Sequence, residues 1–289
     1  MRPPELLIFF HLPKTAGTTM NFILEHCFSK DRLFCIPESS IEVGSHEKIA
    51  AKYDLLSPEA QRSIQCVMGG HMEMGIHTIF DRPAKYFTIV RHPVNRVVSE
   101  FYYCKRTQNR IPHQELIRSM TLDQYVHSRI GLESHDLQVR WLSGCLRLNG
   151  DGASVPVGDW HLQQAKQNIK DQFITAAPLE EFNSLVVFLV RLYNWPLRKS
   201  LFERQNVTPK YPRIADLPAA TVQRIEDNNR YDTALYEWVE ARFAKQLDAL
   251  GPQFLVDRIL YNTVNRRWQK LARKLPEERR CEALKLLYS

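Results

Sequence analysis

The sequence predicts an α/β protein with a central, mostly parallel sheet flanked by helices, and three stretches carry that reading. Leu6–Phe10 (LLIFF) and Tyr86–Val90 (YFTIV) are unbroken apolar runs of strand length, the pattern of strands covered on both faces. Each runs directly into a polar turn and then a helical pattern. Gln172–Ala176 (QFITA) is a further strand, followed by Pro178 and a helix expected over Glu180–Tyr193.

A chain of 289 residues has room for one or two domains. No repeat, low-complexity tract or linker divides it, so one domain over 1–289 is expected, its C-terminal part helical from about residue 215. Apolar residues make up 44% and charged residues 25%, as in soluble globular proteins. The longest late apolar run, Leu185–Val190, is far below the roughly 18 residues of a membrane span. Because the first strand follows Met1-Arg2-Pro3-Pro4-Glu5 at once, no signal peptide or anchor is expected, which predicts a soluble, cytoplasmic protein. Six cysteines without a C-x-x-C pair argue against a zinc knuckle or redox pair and for reduced thiols. A net charge of +7 favours an anionic ligand without choosing among nucleotide, acidic polysaccharide, nucleic acid and membrane surface.

The first strand opens into Lys14-Thr15-Ala16-Gly17-Thr18-Thr19, one cation, three hydroxyls and two small residues ahead of a helix expected near Thr18–Ser29. Unsatisfied N–H groups at a helix N-terminus stabilise a phosphate, and a glycine there admits close approach. The nucleoside triphosphate loop G-x-x-x-x-G-K-[ST] does not match, since Lys14 precedes the lone Gly17. The second strand enters Arg91-His92-Pro93 and a helix over Val94–Lys105. Val94, Val97, Val98 and Phe101 make its apolar face, which groups Arg96, Ser99 and Tyr103 on the other.

PKTAGTT resembles the 5′-phosphosulfate loop, and RHPVNRVVSEFYY the 3′-phosphate motif, of the carbohydrate sulfotransferases that use 3′-phosphoadenosine 5′-phosphosulfate (PAPS), especially the enzymes related to heparan sulfate 2-O- and 6-O-sulfotransferases. The resemblance implies a P-loop-like three-layer fold, PAPS as sulfuryl donor, Lys14 through Thr19 on the phosphosulfate, and Arg91 and Ser99 on the 3′-phosphate. His92 departs from the Asp that many members carry there. Lys14 would neutralise charge on the leaving oxygen, and no metal is required by this arrangement.

Between the motifs, Cys66–Gly69 reads as a short strand before Gly70-His71. The family's catalytic histidine lies in this interval, so the resemblance makes His71 the base, and a neutral imidazole suits that role near neutral pH. Glu73 and His11 are the alternatives. The region from the first helix to Gln65 reads as loop with one or two short helices, one starting at Ser57-Pro58-Glu59. Helical patterns follow at Leu122–Arg129, Glu133–Cys145 and Trp160–Gln172, with a loop at residues 149–152. Relatives place acceptor contacts near Asp136, Gln138, Arg140 and Trp141. Arg140 and Trp141 suit an anionic sugar, with core packing as the other reading of the tryptophan. Asn206-Val207-Thr208 resembles a segment near the nucleotide in related enzymes. Helices near Ala219–Asn228 and Tyr231–Leu250 precede a basic C-terminal stretch, read either as a polyanion-facing surface or as a solvated helix face.

The expected activity is sulfuryl transfer from PAPS to a hydroxyl of a carbohydrate or glycoconjugate acceptor, with no nucleic acid partner and no transmembrane segment. A small-molecule kinase and a non-catalytic binder of acidic glycans are the competing readings.

Overall fold

The computed structural model describes residues 6–37, 45–107, 113–128, 130, 134–146, 155–203, 212–276 and 280. Five strands, β1 (Leu6–Phe10), β2 (Leu33–Ile36), β3 (Cys66–Gly69), β4 (Ala84–Val90) and β5 (Phe173–Pro178), form one sheet in the order β2-β3-β1-β4-β5. Every pairing is parallel, with Ile8 opposite Val67 on one side and Tyr86 on the other. The helices are α1 (Gly17–Cys27), α2 (His46–Asp54), α3 (Pro58–Ser63), α4 (Pro93–Arg106), α5 (Gln114–Ser119), α6 (Leu122–His127), α7 (Leu137–Ser143), α8 (Asp159–Gln172), α9 (Phe182–Tyr193), α10 (Ala219–Asn228), α11 (Arg230–Asp248) and α12 (Pro252–Ala272).

Both faces of the sheet are buried, which is why β1 is apolar throughout rather than alternating. Leu6, Ile8 and Phe10 point into one core with residues of α7, α8 and α11. Leu7 and Phe9 point into the other with residues of α1, α9 and α12. Each such side chain contributes about 1.5–3 kcal/mol on burial, so β1 alone anchors both layers. The apolar face of α4 instead packs on helices: Val94, Val97 and Phe101 meet Ile117 of α5, Tyr125 of α6 and Ile225 of α10 in a third cluster.

After β1 the chain moves toward β2, and after β4 it moves toward β5. Neighbouring strands whose connections leave in opposite directions open a crevice at their C-terminal ends, the usual ligand position in such sheets. Gly17 and Pro93 begin the helices that leave those two ends.

Several boundaries differ from the sequence reading. The stretch before Gln65 contains β2, an edge strand of four residues with Cys35 exposed, too short and too mixed to show a period. β5 runs to Pro178, and α9 starts only after a 3-10 turn at Leu179–Glu181. Arg96 is fully buried; the polar side of α4 faces protein rather than solvent. Ser57 caps α3 as expected, its Oγ accepting from Ala60 N. Residues 149–152 and 206–208 lie outside the described residues.

Candidate active site

The loop after β1 is shaped by two non-glycine residues in the left-handed region, Lys14 at φ 64° and Ala16 at φ 65°, either side of Thr15. Such alternation turns successive N–H groups into one concavity suited to an anion. It costs about 1–2 kcal/mol per left-handed residue, so the surrounding contacts must hold it. Thr15 is one such contact: its buried Oγ1 donates to Leu12 O at 2.8 Å. The Thr15 hydroxyl proton is thereby committed inward, leaving Thr18, exposed, and Thr19, buried, as the other loop hydroxyls. At the α1 N-terminus no side chain caps the helix and the first turn holds no acid.

Gly17 is required by a neighbour. A Cβ there would stand 1.7 Å from His11 Nε2. The imidazole lies with its Nε2 end against the first turn of α1, stacks on Phe9 at 5.5 Å, and engages Gly69 O through Nδ1 at 3.0 Å. Asn21 of α1 fixes the same glycine from both sides, donating to Gly69 O and accepting from Gly69 N. Burial, then the charges of His71 and Lys14, push the His11 pKa down to about 3. His11 is therefore a neutral packing residue and a poor proton acceptor.

His71 stands half-buried beyond β3, its ring 4.6 Å from that of His11 and 5.2 Å from Trp141. Its Nδ1 meets His11 O at 2.9 Å. A carbonyl can only accept, so Nδ1 carries the proton in the neutral ring and Nε2 is the proton-accepting nitrogen. Glu73 is turned elsewhere: its Oε2 accepts from His46 N, at the start of α2.

Two links join the motifs. Arg91 donates from Nη1 to Lys14 O at 3.0 Å. Tyr103 of α4 places its ring 3.6 Å beneath the Lys14 ammonium, a cation–π contact. Burial lowers the Lys14 pKa and the nearby Glu100 carboxylate opposes that shift. Ser99 is buried one helical turn before Tyr103, on the same side of α4. Loop, Arg91 and the Ser99–Tyr103 side of α4 thus share one crevice, and no bond joins Ser99 to Arg91 directly among those the structure describes.

The sequence reading missed what fixes Arg91. Gln138 brackets its backbone, Arg91 N donating to Oε1 at 2.8 Å and Nε2 donating to Arg91 O at 2.9 Å. Gln138 sits at the start of α7, where Asp232 of α11 accepts from Gln138 N and Val139 N. Asp136 returns the arrangement, its Oδ1 accepting from Tyr231 N and Asp232 N at the start of α11. Each helix is capped by the other's carboxylate. Burial, then mutual repulsion, raises the Asp136 pKa to about 7; burial also raises that of Asp232, against the pull of Arg96. Arg140 is buried, bonding His135 O and Val155 O, and Trp141 is 5% exposed beside Phe10. Gln138 and Trp141 thus serve as framework, while Asp136 and Arg140 also line a cavity of about 430 Å³.

Among the described residues no group of three His, Cys, Asp or Glu could hold a metal ion, and no helix is long and apolar enough to cross a membrane.

The family model for galactose-3-O-sulfotransferase matches residues 1–276. Galactose-3-O-sulfotransferase 3 of Bos taurus is 24% identical over 259 residues, covering 86% of this chain and 60% of that protein. The human protein of the same name gives 24% over 259 residues, with 59% of its length covered. Human uronyl 2-sulfotransferase is 24% identical over 192 residues, 56% of this chain and 43% of that protein. The chain thus spans about three fifths of the galactose-3-O-sulfotransferases it matches. These findings overturn the cytoplasmic location expected from the chain start: the relatives are galactose-3-O- and uronyl 2-sulfotransferases, and the chain matches only part of their length, so its start carries no location. With a matching family model across nearly the whole sequence, and two strand-to-helix junctions converging on one crevice, the chain belongs to the galactose-3-O-sulfotransferase family.

Proposed function

We propose that the chain is a carbohydrate sulfotransferase that takes its sulfuryl group from PAPS, with His71 as base. The observation that carries the reading is the Arg91 to Lys14 O bond, which unites the two phosphate-type motifs in one crevice. The residues present suit the donor: a left-handed loop with its N–H groups gathered, an uncapped helix start, and two cations of fixed position. When bound, PAPS supplies a sulfuryl group whose sulfur–oxygen bond to the 5′-phosphate breaks as a bond to an acceptor oxygen forms.

Lys14 through Thr19 would hold the phosphosulfate end, and Arg91 and Ser99 the 3′-phosphate. Lys14, kept in place by Tyr103, presents positive charge where the leaving oxygen gains negative charge. His71 is oriented by His11 O so that Nε2 takes the proton of the acceptor hydroxyl. Neither alternative base fits as well, since His11 is buried at low pKa and Glu73 is engaged by His46. A sugar hydroxyl is the proposed acceptor, because the relatives carry galactose and uronyl acceptors in their names.

The test is calorimetric binding of 3′-phosphoadenosine 5′-phosphate, beside ATP with and without Mg²⁺. The bisphosphate should bind without metal, and Arg91→Ala should weaken it by about tenfold to a hundredfold, the worth of a charge-assisted phosphate contact. His71→Asn should keep that affinity and lose transfer to a galactoside acceptor. A preference for Mg²⁺-ATP, or an Arg91→Ala protein that binds the bisphosphate normally, would overturn the assignment.

A further inference from the structure

At the other end of the sheet lies a second groove, of about 870 Å³, lined by Pro83, Lys85, Phe173 and Ile174 at the starts of β4 and β5, by Lys170 of α8, and by the Trp238 side of α11. Lys85 and Arg91 bracket β4, so at about 3.3 Å per residue the groove stands roughly 20 Å from the crevice just described. Nothing in the proposed transfer uses it.

Its chemistry is one-sided. Trp238, Arg242 and Lys245 fall at i, i+4 and i+7 on one stripe of α11. Lys166 and Lys170, one turn apart on α8, bring their ammonium groups to 5.8 and 5.9 Å from the Trp238 ring, and the Arg242 guanidinium lies at 5.7 Å. No acidic side chain is among the described residues lining the groove. None of Lys166, Lys170, Arg242 and Lys245 joins an ion pair among the described residues. Asp171, next to Lys170, gives its carboxylate to Gln167 and its carbonyl to Lys85. Like charges gathered from two helices and a strand raise the local positive potential, which favours an anion in the groove.

We infer that this groove is a non-catalytic binding site for an anionic oligosaccharide, with Trp238 as the platform for a sugar ring and Lys166, Lys170, Arg242 and Lys245 holding its sulfate or carboxylate groups. The half-buried indole offers one flat apolar surface of pyranose size ringed by cations. A single-stranded nucleic acid track needs successive aromatic platforms. A membrane site needs an exposed apolar face, whereas this indole is recessed between charged helices. Charge complementarity therefore selects a short acidic glycan, held apart from the transfer crevice.

The experiment measures binding of a heparin-derived hexasaccharide, with maltohexaose, a (dT)12 oligonucleotide and phosphatidylserine vesicles as comparisons. Two charge-reversed pairs on different helices, Lys166→Glu with Lys170→Glu and Arg242→Glu with Lys245→Glu, are tested beside the unaltered protein, with thermal unfolding recorded for each. Each pair should raise the hexasaccharide dissociation constant by about tenfold or more, as for losing two exposed ionic contacts and adding repulsion. Affinity for 3′-phosphoadenosine 5′-phosphate should stay within about twofold, because the crevice lies beyond the screening length. Maltohexaose, which lacks charge, should bind far more weakly than the hexasaccharide. Hexasaccharide affinity unchanged in both folded variants would place that binding elsewhere and overturn the inference. So would tighter binding of (dT)12 or vesicles with the same sensitivity to the variants.

Discussion

Gly17→Ala is the substitution whose outcome the structure predicts most sharply. On helix propensity alone it should stabilise α1 by up to about 1 kcal/mol. The geometry opposes this, because the new methyl would stand 1.7, 2.0 and 2.3 Å from three atoms of the His11 ring. To recover an ordinary 3.4 Å contact the ring must retreat by about 1.7 Å. That retreat breaks the Nδ1 bond to Gly69 O and the stack on Phe9, and shifts the carbonyl that orients His71. Overpacking of this kind costs about 1–3 kcal/mol and the lost hydrogen bond about 1 kcal/mol, so a net destabilisation of about 2 kcal/mol is expected. Urea unfolding at neutral pH measures it. The combined variant His11→Ala with Gly17→Ala tests the cause: with no ring to displace, adding the methyl should cost nothing or stabilise. Equal losses on both backgrounds would refute the argument from the ring, as would a Gly17→Ala protein no less stable than the unaltered one.

Two further outcomes follow from the framework around Arg91. Gln138→Leu leaves the Arg91 N–H and carbonyl without their partners, so stability should fall by about 3 kcal/mol and bisphosphate affinity with it; a loss under about 1 kcal/mol with normal binding would sink the bracket as a positioning device. Asp136 has its pKa raised from 3.8 to about 7 on folding, so the native state binds the extra proton and stability declines as pH climbs through that interval. Asp136→Asn keeps the Oδ1 acceptor without the charge, and should flatten the decline between about pH 4 and 7, leaving the variant about 1–2 kcal/mol more stable at the upper end. Urea midpoints at both pH values check this, and an unchanged or steeper slope would contradict it.

The parts of the fold legible in the sequence are those with a strong local signal. β1 and β4 are unbroken apolar runs, each followed by a short polar turn into a helix, and both strands stand where expected. β2 was illegible because an edge strand of four residues with one exposed cysteine has neither the length nor the period to stand out. The sheet order is set by long-range pairing, which no local pattern encodes. At the site, Lys14 and Arg91 stood out by their own chemistry, and the structure joins them by the Arg91 Nη1 bond to Lys14 O. Gln138 was named only by its neighbourhood, since a glutamine in a helical stretch looks the same whether it faces water or brackets a distant backbone. The burial of Arg96 was illegible for the same reason, since the pattern of an amphipathic helix does not tell whether its polar side meets water or protein.

The crossed caps between α7 and α11 also restrict how the chain length can vary. Each residue inserted in a helix turns everything beyond it by about 100°. One residue added between Asp136 and Val139 would swing Gln138 off Arg91 while Asp136 stayed with α11; one added between Tyr231 and Asp232 would separate the second carboxylate from α7. Both insertions fall in segments of ordinary composition that carry no motif. Length changes within these two short stretches should therefore be as damaging as loss of Arg91 itself.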